Sequence, residues 1–230
     1  MFTSVSSMRA LGSASHALVL RRFFKAGAGS VGAGDRFLGT RVPTVRTLAR
    51  EYQALSLRNV TALLKSPWHE ERLLVLLILV RQYAVADVVR RNAIFWLYLK
   101  NTDRINNWNL VDCSAEHIVG AQVGDRDPRT LLRLAKSKPL WERRIAIMAT
   151  FRHIKRRRFD TTLRVARVLL HDEHDLIQKA VGWMLREVGK RDRALEERFL
   201  RRYVRRMRRT TLRYSIKRFP LRLRQRYLAA

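Results

Sequence analysis

The chain has 230 residues, and 48 Lys and Arg stand against 19 Asp and Glu, a formal charge of +29. With 47% hydrophobic residues this is the composition of a folded body, not of a disordered polybasic tail. One cysteine, Cys113, excludes an internal disulfide and a cysteine-built zinc site, and the longest apolar run, Leu73 to Val80, is far short of the roughly 20 residues that span a bilayer. Such a body repels itself unless something anionic lies against it, nucleic acid first and an anionic membrane surface second.

The first element expected is a basic helix over Met8 to Lys25. Met1 to Gly34 has no acidic residue and several Ser and Arg, which also resembles a mitochondrial presequence. Gly27, Gly29, Gly32, Gly34 and Gly39 then mark a loop. Its GxG pattern is a weak phosphate-loop signal, because no apolar strand precedes it and no Lys-Ser/Thr ends it, so a structural loop is expected. Pro43, Pro67, Pro128, Pro139 and Pro220 sit at expected helix starts or connections. Apolar residues at three- and four-residue spacing, as in Ile177, Ala180, Val181, Met184 and Leu185, indicate helices, and no alternating strand pattern is present. Trp68 and Trp96 read as core residues. Arginine becomes dense from Glu197 to the end, giving Arg-rich C-terminal helices over 197–230.

The chain repeats itself. Ser66-Pro67-Trp68-His69-Glu70-Glu71-Arg72 leads into an apolar helix, and Pro139-Leu140-Trp141-Glu142-Arg143-Arg144 does the same, the Glu-Arg pairs lying 71 positions apart. Asn106-Asn107-Trp108 falls between them, and Asp175-Leu176-Ile177-Gln178-Lys179 follows, its Lys179 lying 36 positions after Arg143. A period near 36 in an all-helical chain predicts stacked helical hairpins, an α-α superhelix in which neighbours cover each other's apolar faces. The fold class expected is therefore all-α, a helical-repeat solenoid with a concave basic face, forming a single domain over 1–230. Arg72, Trp108, Arg143, Arg144 and Lys179, at the starts of second helices, are expected to line that face.

Trp108 and Asp112 are four apart and share a helix face, and Trp183 and Arg186 are three apart on another. One carboxylate, two indoles and several guanidiniums suit one chemistry. A purine alkylated at N7 or N3 is cationic, and its glycosidic bond is weak without protonation by a general acid. A carboxylate near the sugar stabilises the oxocarbenium-like transition state and orients water. Indoles hold the cationic base by cation–π contact, on the order of 0.5–2 kcal/mol each. Arginines hold phosphates and are expected to keep Asp112 ionised.

These residues resemble the AlkD-like DNA alkylation repair glycosylases, a family of HEAT-like repeats. The resemblance runs from about Phe23 to Leu228. It is carried by Phe23-Phe24-Lys25-Ala26-Gly27, Gly34-Asp35-Arg36-Phe37-Leu38-Gly39-Thr40-Arg41-Val42-Pro43, His69-Glu70-Glu71-Arg72-Leu73-Leu74, Asn106-Asn107-Trp108-Asn109-Leu110-Val111-Asp112, Leu140-Trp141-Glu142-Arg143-Arg144 and Asp175 to Glu187. It implies a monofunctional glycosylase for N3- and N7-alkylated purines in duplex DNA that works without flipping the base into a pocket. Asp112 is then the catalytic carboxylate, Trp108 and Trp183 cradle the lesion, and Arg144, Arg143, Arg186, Lys179 and Arg72 bind phosphates. Neither metal nor cofactor is implied. The expected partner is double-stranded DNA, with no membrane, the protein acting as a monomer in the cytoplasm. Because the resemblance reaches back into the first helix, a mitochondrial presequence is the less favoured reading. Asn109 stands where the family has a second Asp, Phe23 where some members have Tyr, and Met207-Arg208-Arg209-Thr210 where it has Met-Pro-Arg-Thr. Two other readings compete: a non-catalytic binder of branched or bent DNA, and a basic RNA-binding helical protein that stacks single strands on its aromatics.

Overall fold

The computed structural model describes residues 8–24, 26–27, 29, 32–124 and 127–229. Among these every regular element is helical, and the one β-type pairing is an isolated bridge between Arg36 and Trp68. The fold is all-α, as the spacing predicts. Helices begin at His69, Trp108, Leu140 and Asp175, where the repeat places them. The chain divides into two compact units, Met1–Ile118 and Val119–Ala230.

The first unit holds α1 (Ala14–Phe23), α2 (Val42–Glu51), α3 (Leu57–Leu64), α4 (His69–Val85), α5 (Val88–Lys100) and α6 (Trp108–Asp112). Helix α4 is its centre, with α2, α3, α5 and α6 packed on it. It is buried on all sides from His69 to Leu76 and again at Ile78, Leu79 and Tyr83. This is why its sequence is a continuous apolar run and not an amphipathic stripe. Each fully enclosed Leu there contributes about 1.5–3 kcal/mol. Ser56 and Asp87 cap α3 and α5 by accepting from Asn59 and Arg90 backbone N–H groups, and Pro43 opens α2.

Two expectations are corrected here. The first helix is not continuous over Met8 to Lys25. A helical turn at Met8–Ala10 breaks at Gly12, and α1 starts afresh where the Ser13 hydroxyl accepts from the His16 N–H. A side chain at Gly12 would crowd the Leu38 carbonyl oxygen at 2.7 Å, so the break lets the loop come close. Lys25 lies outside the described residues, as do residues 1–7 of the segment that composition likens to a presequence. Trp96 is not a core residue, with 49% of its surface exposed, and Trp68 is only half-buried.

The second unit holds α7 (Arg129–Ala135), α8 (Leu140–Ala149), α9 (Phe151–Lys155), α10 (Asp160–Val168), α11 (Asp175–Gly189), α12 (Arg193–Tyr203), α13 (Arg209–Ser215) and α14 (Leu221–Ala229). Its centre is α11, against which α8, α10, α12 and α13 pack. Gly182 permits the approach of α13, since any side chain there would collide with the Thr211 carbonyl oxygen. The proline missing between Met207 and Thr210 is not needed. Arg208 takes φ −60° and ψ 139°, the backbone a proline would impose, and α13 still begins at Arg209.

Candidate active site

Helix α6 carries Trp108 at its first position and Asp112 at its last. One helical turn apart, both side chains line a cavity of about 280 Å³ with Val42, Arg46, Leu73, Leu77, Asn109 and Cys113. A second cavity of about 480 Å³ adjoins it, sharing Arg46, Leu77, Asp112 and Cys113 and adding Arg50, Arg81 and His117. The half-buried Asp112 therefore stands where an apolar, indole-walled compartment meets one edged by arginines. The Trp108 ring rests on Phe24 at 5.3 Å and on the exposed Phe23 at 5.7 Å. The Asn109 side-chain oxygen is buried without a hydrogen-bond partner. The thiol of Cys113 is pushed up to about 12 by burial and by the charge of Asp112, so it stays protonated at neutral pH.

The motif at the start of α4 does not face a ligand. His69, Glu70, Glu71 and Arg72 are all at least 97% enclosed and fasten the preceding loop. Glu70 accepts from the Leu38 and Gly39 N–H groups at 3.0 and 2.8 Å. Glu71 accepts from Arg9 at 2.7 Å and from the Ser66 hydroxyl at 2.5 Å. Arg72 donates to Asp35 at 2.5 Å and to the Ser66 carbonyl at 2.8 Å. Arg72 is thus corrected from a phosphate ligand to the counterion of a buried carboxylate. Burial by itself would raise the Asp35 carboxyl, but the His69 hydrogen bond and the Arg72 charge outweigh it and hold it below the ordinary value.

In the second unit the Trp-Glu-Arg-Arg motif also fastens. Arg143 donates to Asp172 at 2.6 Å and to the Lys138 carbonyl at 2.5 Å. Arg144, 5% exposed, donates to the Leu176 carbonyl at 2.6 Å and so holds the first turn of α11. The expectation that Arg143 and Arg144 line an open surface is corrected to this extent: their guanidiniums serve internal bonds. His174 caps α11 through its ring, which accepts from the Leu176 N–H at 3.2 Å. Along α11, Lys179 pairs with Asp175 at the surface at 2.6 Å. Trp183 donates to Glu187 at 3.3 Å, and Arg186 donates to the Tyr214 carbonyl at 3.3 Å.

A family model for the DNA alkylation repair enzymes matches residues 5–219. The chain belongs to that family. The protein is thereby assigned a role in alkylation repair. It is also similar in fold to a solved structure described as a predicted DNA alkylation repair enzyme from Enterococcus faecalis. That structure has 16% sequence identity and a TM-score of 0.71, and the match covers 91% of this chain and 97% of the other. Among curated proteins none matches the chain. No group of three His, Cys, Asp or Glu is placed to hold a metal ion among the described residues, and no described helix is long and apolar enough to cross a membrane.

Sequence reasoning missed Arg46 and Asp35. Arg46 sits on α2 and reaches both cavities beside Asp112. Asp35 had a signal, as the one acidic residue among the first 50.

Proposed function

We propose that the protein is a monofunctional DNA glycosylase that releases N3- and N7-alkylated purines from duplex DNA. The observation that carries this reading is the pairing of Asp112 with Trp108 in one cavity beside α6, with Arg46 in its wall and an arginine-edged cavity adjoining it at Asp112. The bond from C1′ to the purine nitrogen breaks, and its electron pair leaves with the base, neutralising the cationic ring. The carboxylate of Asp112 stabilises the charge growing on the sugar and orients the water that adds at C1′, one proton of that water passing to solvent as the C1′ hydroxyl forms. Trp108 offers its ring face to the cationic base. Trp183, Lys179 and Arg186 on α11 supply further contacts to the lesion strand and its phosphates, with the protein acting as a monomer.

The chemistry of Cys113 speaks against the other repair route a lone cysteine suggests, transfer of the alkyl group to sulfur. That route needs a thiolate, and Cys113 holds its proton to about 12.

Incubation with duplex DNA carrying 7-methylguanine should liberate free base, and release no faster than the spontaneous rate would sink the proposal. Asp112→Asn should lower the excision rate by about 10²- to 10³-fold, the range seen when a charge-stabilising group is removed. Affinity for undamaged duplex should stay within about twofold, because no phosphate contact is lost. Equal loss of both would make Asp112 structural. Tight binding to branched or bent duplex without release would favour the non-catalytic binder, and preference for single-stranded RNA over duplex DNA the RNA-binding reading.

A further inference from the structure

Helix α6 has five residues and continues, through a turn in which the Ala115 N–H donates to the Val111 carbonyl, into a wider helical turn at Glu116–Gly120, with Leu110 and Val111 buried beneath it. Its far end and inner face are thus fastened, and what remains to be held is its first turn, which carries Trp108 and leads to Asp112. The residue before a helix ordinarily caps it with its side chain, and Asn is among the best caps. Asn107 makes no such cap. Its side-chain N–H instead donates to Asp35 Oδ2 at 3.3 Å, and its side-chain oxygen is buried without a partner. Its backbone carbonyl accepts from the Val111 N–H at 3.2 Å, one residue before Asp112.

A second route reaches the same oxygen. Trp108 rests on Phe24, Phe24 packs on the His69 ring at 4.7 Å, and His69 Nδ1 donates to Asp35 Oδ2 at 3.2 Å. The other oxygen, Oδ1, is held by Arg72, which the Ser66 carbonyl anchors in turn. The circuit Asp35–Asn107–Trp108–Phe24–His69 therefore closes on one carboxylate. Asp35, His69, Arg72 and Asn107 are all buried.

We propose that Asp35 and Asn107 are positioning residues for Asp112, the carboxylate acting through the tether to fix the start of α6 and the indole beside it. This rests on the glycosylase reading above. Neither residue touches the reacting atoms. A misplacement of 1 Å at a reacting group can cost roughly 10²-fold in rate, so a tether at the head of a five-residue helix has leverage.

Asn107→Ala is the cleanest probe, because it leaves the Asp35–Arg72 and Asp35–His69 contacts in place. Two readouts are needed. Amide hydrogen exchange across residues 108–113 reports the anchoring of α6 without reference to any reaction, and it should quicken by about tenfold. Single-turnover release of 7-methylguanine at saturating protein should fall by about 10- to 100-fold, while affinity for undamaged duplex stays within about twofold. Exchange that does not change overturns the proposal. So does faster exchange with unchanged excision, or a fall in excision matched by an equal fall in DNA affinity, which would mean a general loosening. If the wild-type protein releases no base at all, the glycosylase reading fails by itself, and faster exchange in Asn107→Ala still supports the anchoring of α6. Asn107→Ser, whose hydroxyl can donate to a carboxylate, should recover part of both losses. Failure of Asn107→Ser to recover either one would count against the tether.

Discussion

Among the carboxyl groups that the two units bury, Asp35 of the first and Glu196 of the second are treated in opposite ways. In the first, Asp35 is met by His69, Arg72 and Asn107, and the partners keep it charged against the pull of burial. In the second, Glu196 is 2% exposed and one of its oxygens, Oε1, has no hydrogen-bond partner. Burial, opposed by the charge of Arg193, pushes its carboxyl up to about 8, so it carries a proton at neutral pH. Depth alone did not decide the charge; the supply of donors did. An ionised acid with three donors has a preferred geometry and can serve as a post. A neutral acid packed on Gly189, where a methyl group would collide with its carboxyl, fills space without orienting anything.

The largest effect should come from removing the post's charge. Asp35→Asn leaves Arg72 buried without a counterion and should cost about 3–5 kcal/mol of unfolding free energy, read from denaturant midpoints. The same contrast sets opposite pH dependences. The folded-state value of Asp35 lies below its unfolded one, so its contribution is full above the ordinary carboxylate value of 3.8 and is lost as pH falls further. For Glu196 the folded-state value lies above the ordinary 4.5, so its contribution is full below 4.5 and is lost as pH rises to about 8. Glu196→Gln should therefore flatten the alkaline limb. It should gain over wild type between pH 5 and pH 8.5, by up to about 1.4 kcal/mol for each pH unit crossed below about 8. A variant that unfolds in parallel with wild type across this range would break the comparison, because Glu196 would then be charged in the fold.

How much of this was legible beforehand follows from what a sequence can encode locally. The helix starts at His69, Trp108, Leu140 and Asp175 were readable because each follows a proline or a polar turn and opens an apolar run. The Trp108–Asp112 pair was readable because four residues make one helical turn. Arg72 was misread because its counterion lies 37 positions away in a glycine-bounded loop, a separation that leaves no local pattern. The internal bond of Arg144 was hidden for a different reason: its acceptor is the Leu176 carbonyl, and a backbone oxygen has no signature in the letters. The partner of Asn107 left no local mark either, because Asp35 lies 72 positions away.

The smallest effect belongs to a third kind of carboxylate, one at the surface. Asp175 and Lys179 pair at 2.6 Å one helical turn apart on α11, with side chains 57% and 40% exposed. Water screens both charges, and the side-chain entropy lost in holding them offsets most of the attraction. Lys179→Ala should therefore change stability by no more than about 0.5 kcal/mol, far below the cost of disturbing Asp35. Its consequence for DNA should be a different kind of number. If Lys179 contacts one phosphate, the slope of log affinity against log salt for undamaged duplex should become shallower by about 0.9, with no change in the excision rate at saturating protein. An unchanged slope would assign Lys179 to Asp175 alone. A fall in the excision rate would place it nearer the reacting sugar than its surface pairing suggests. Because the stability change is small, either result would report on DNA contact and not on loosening of α11.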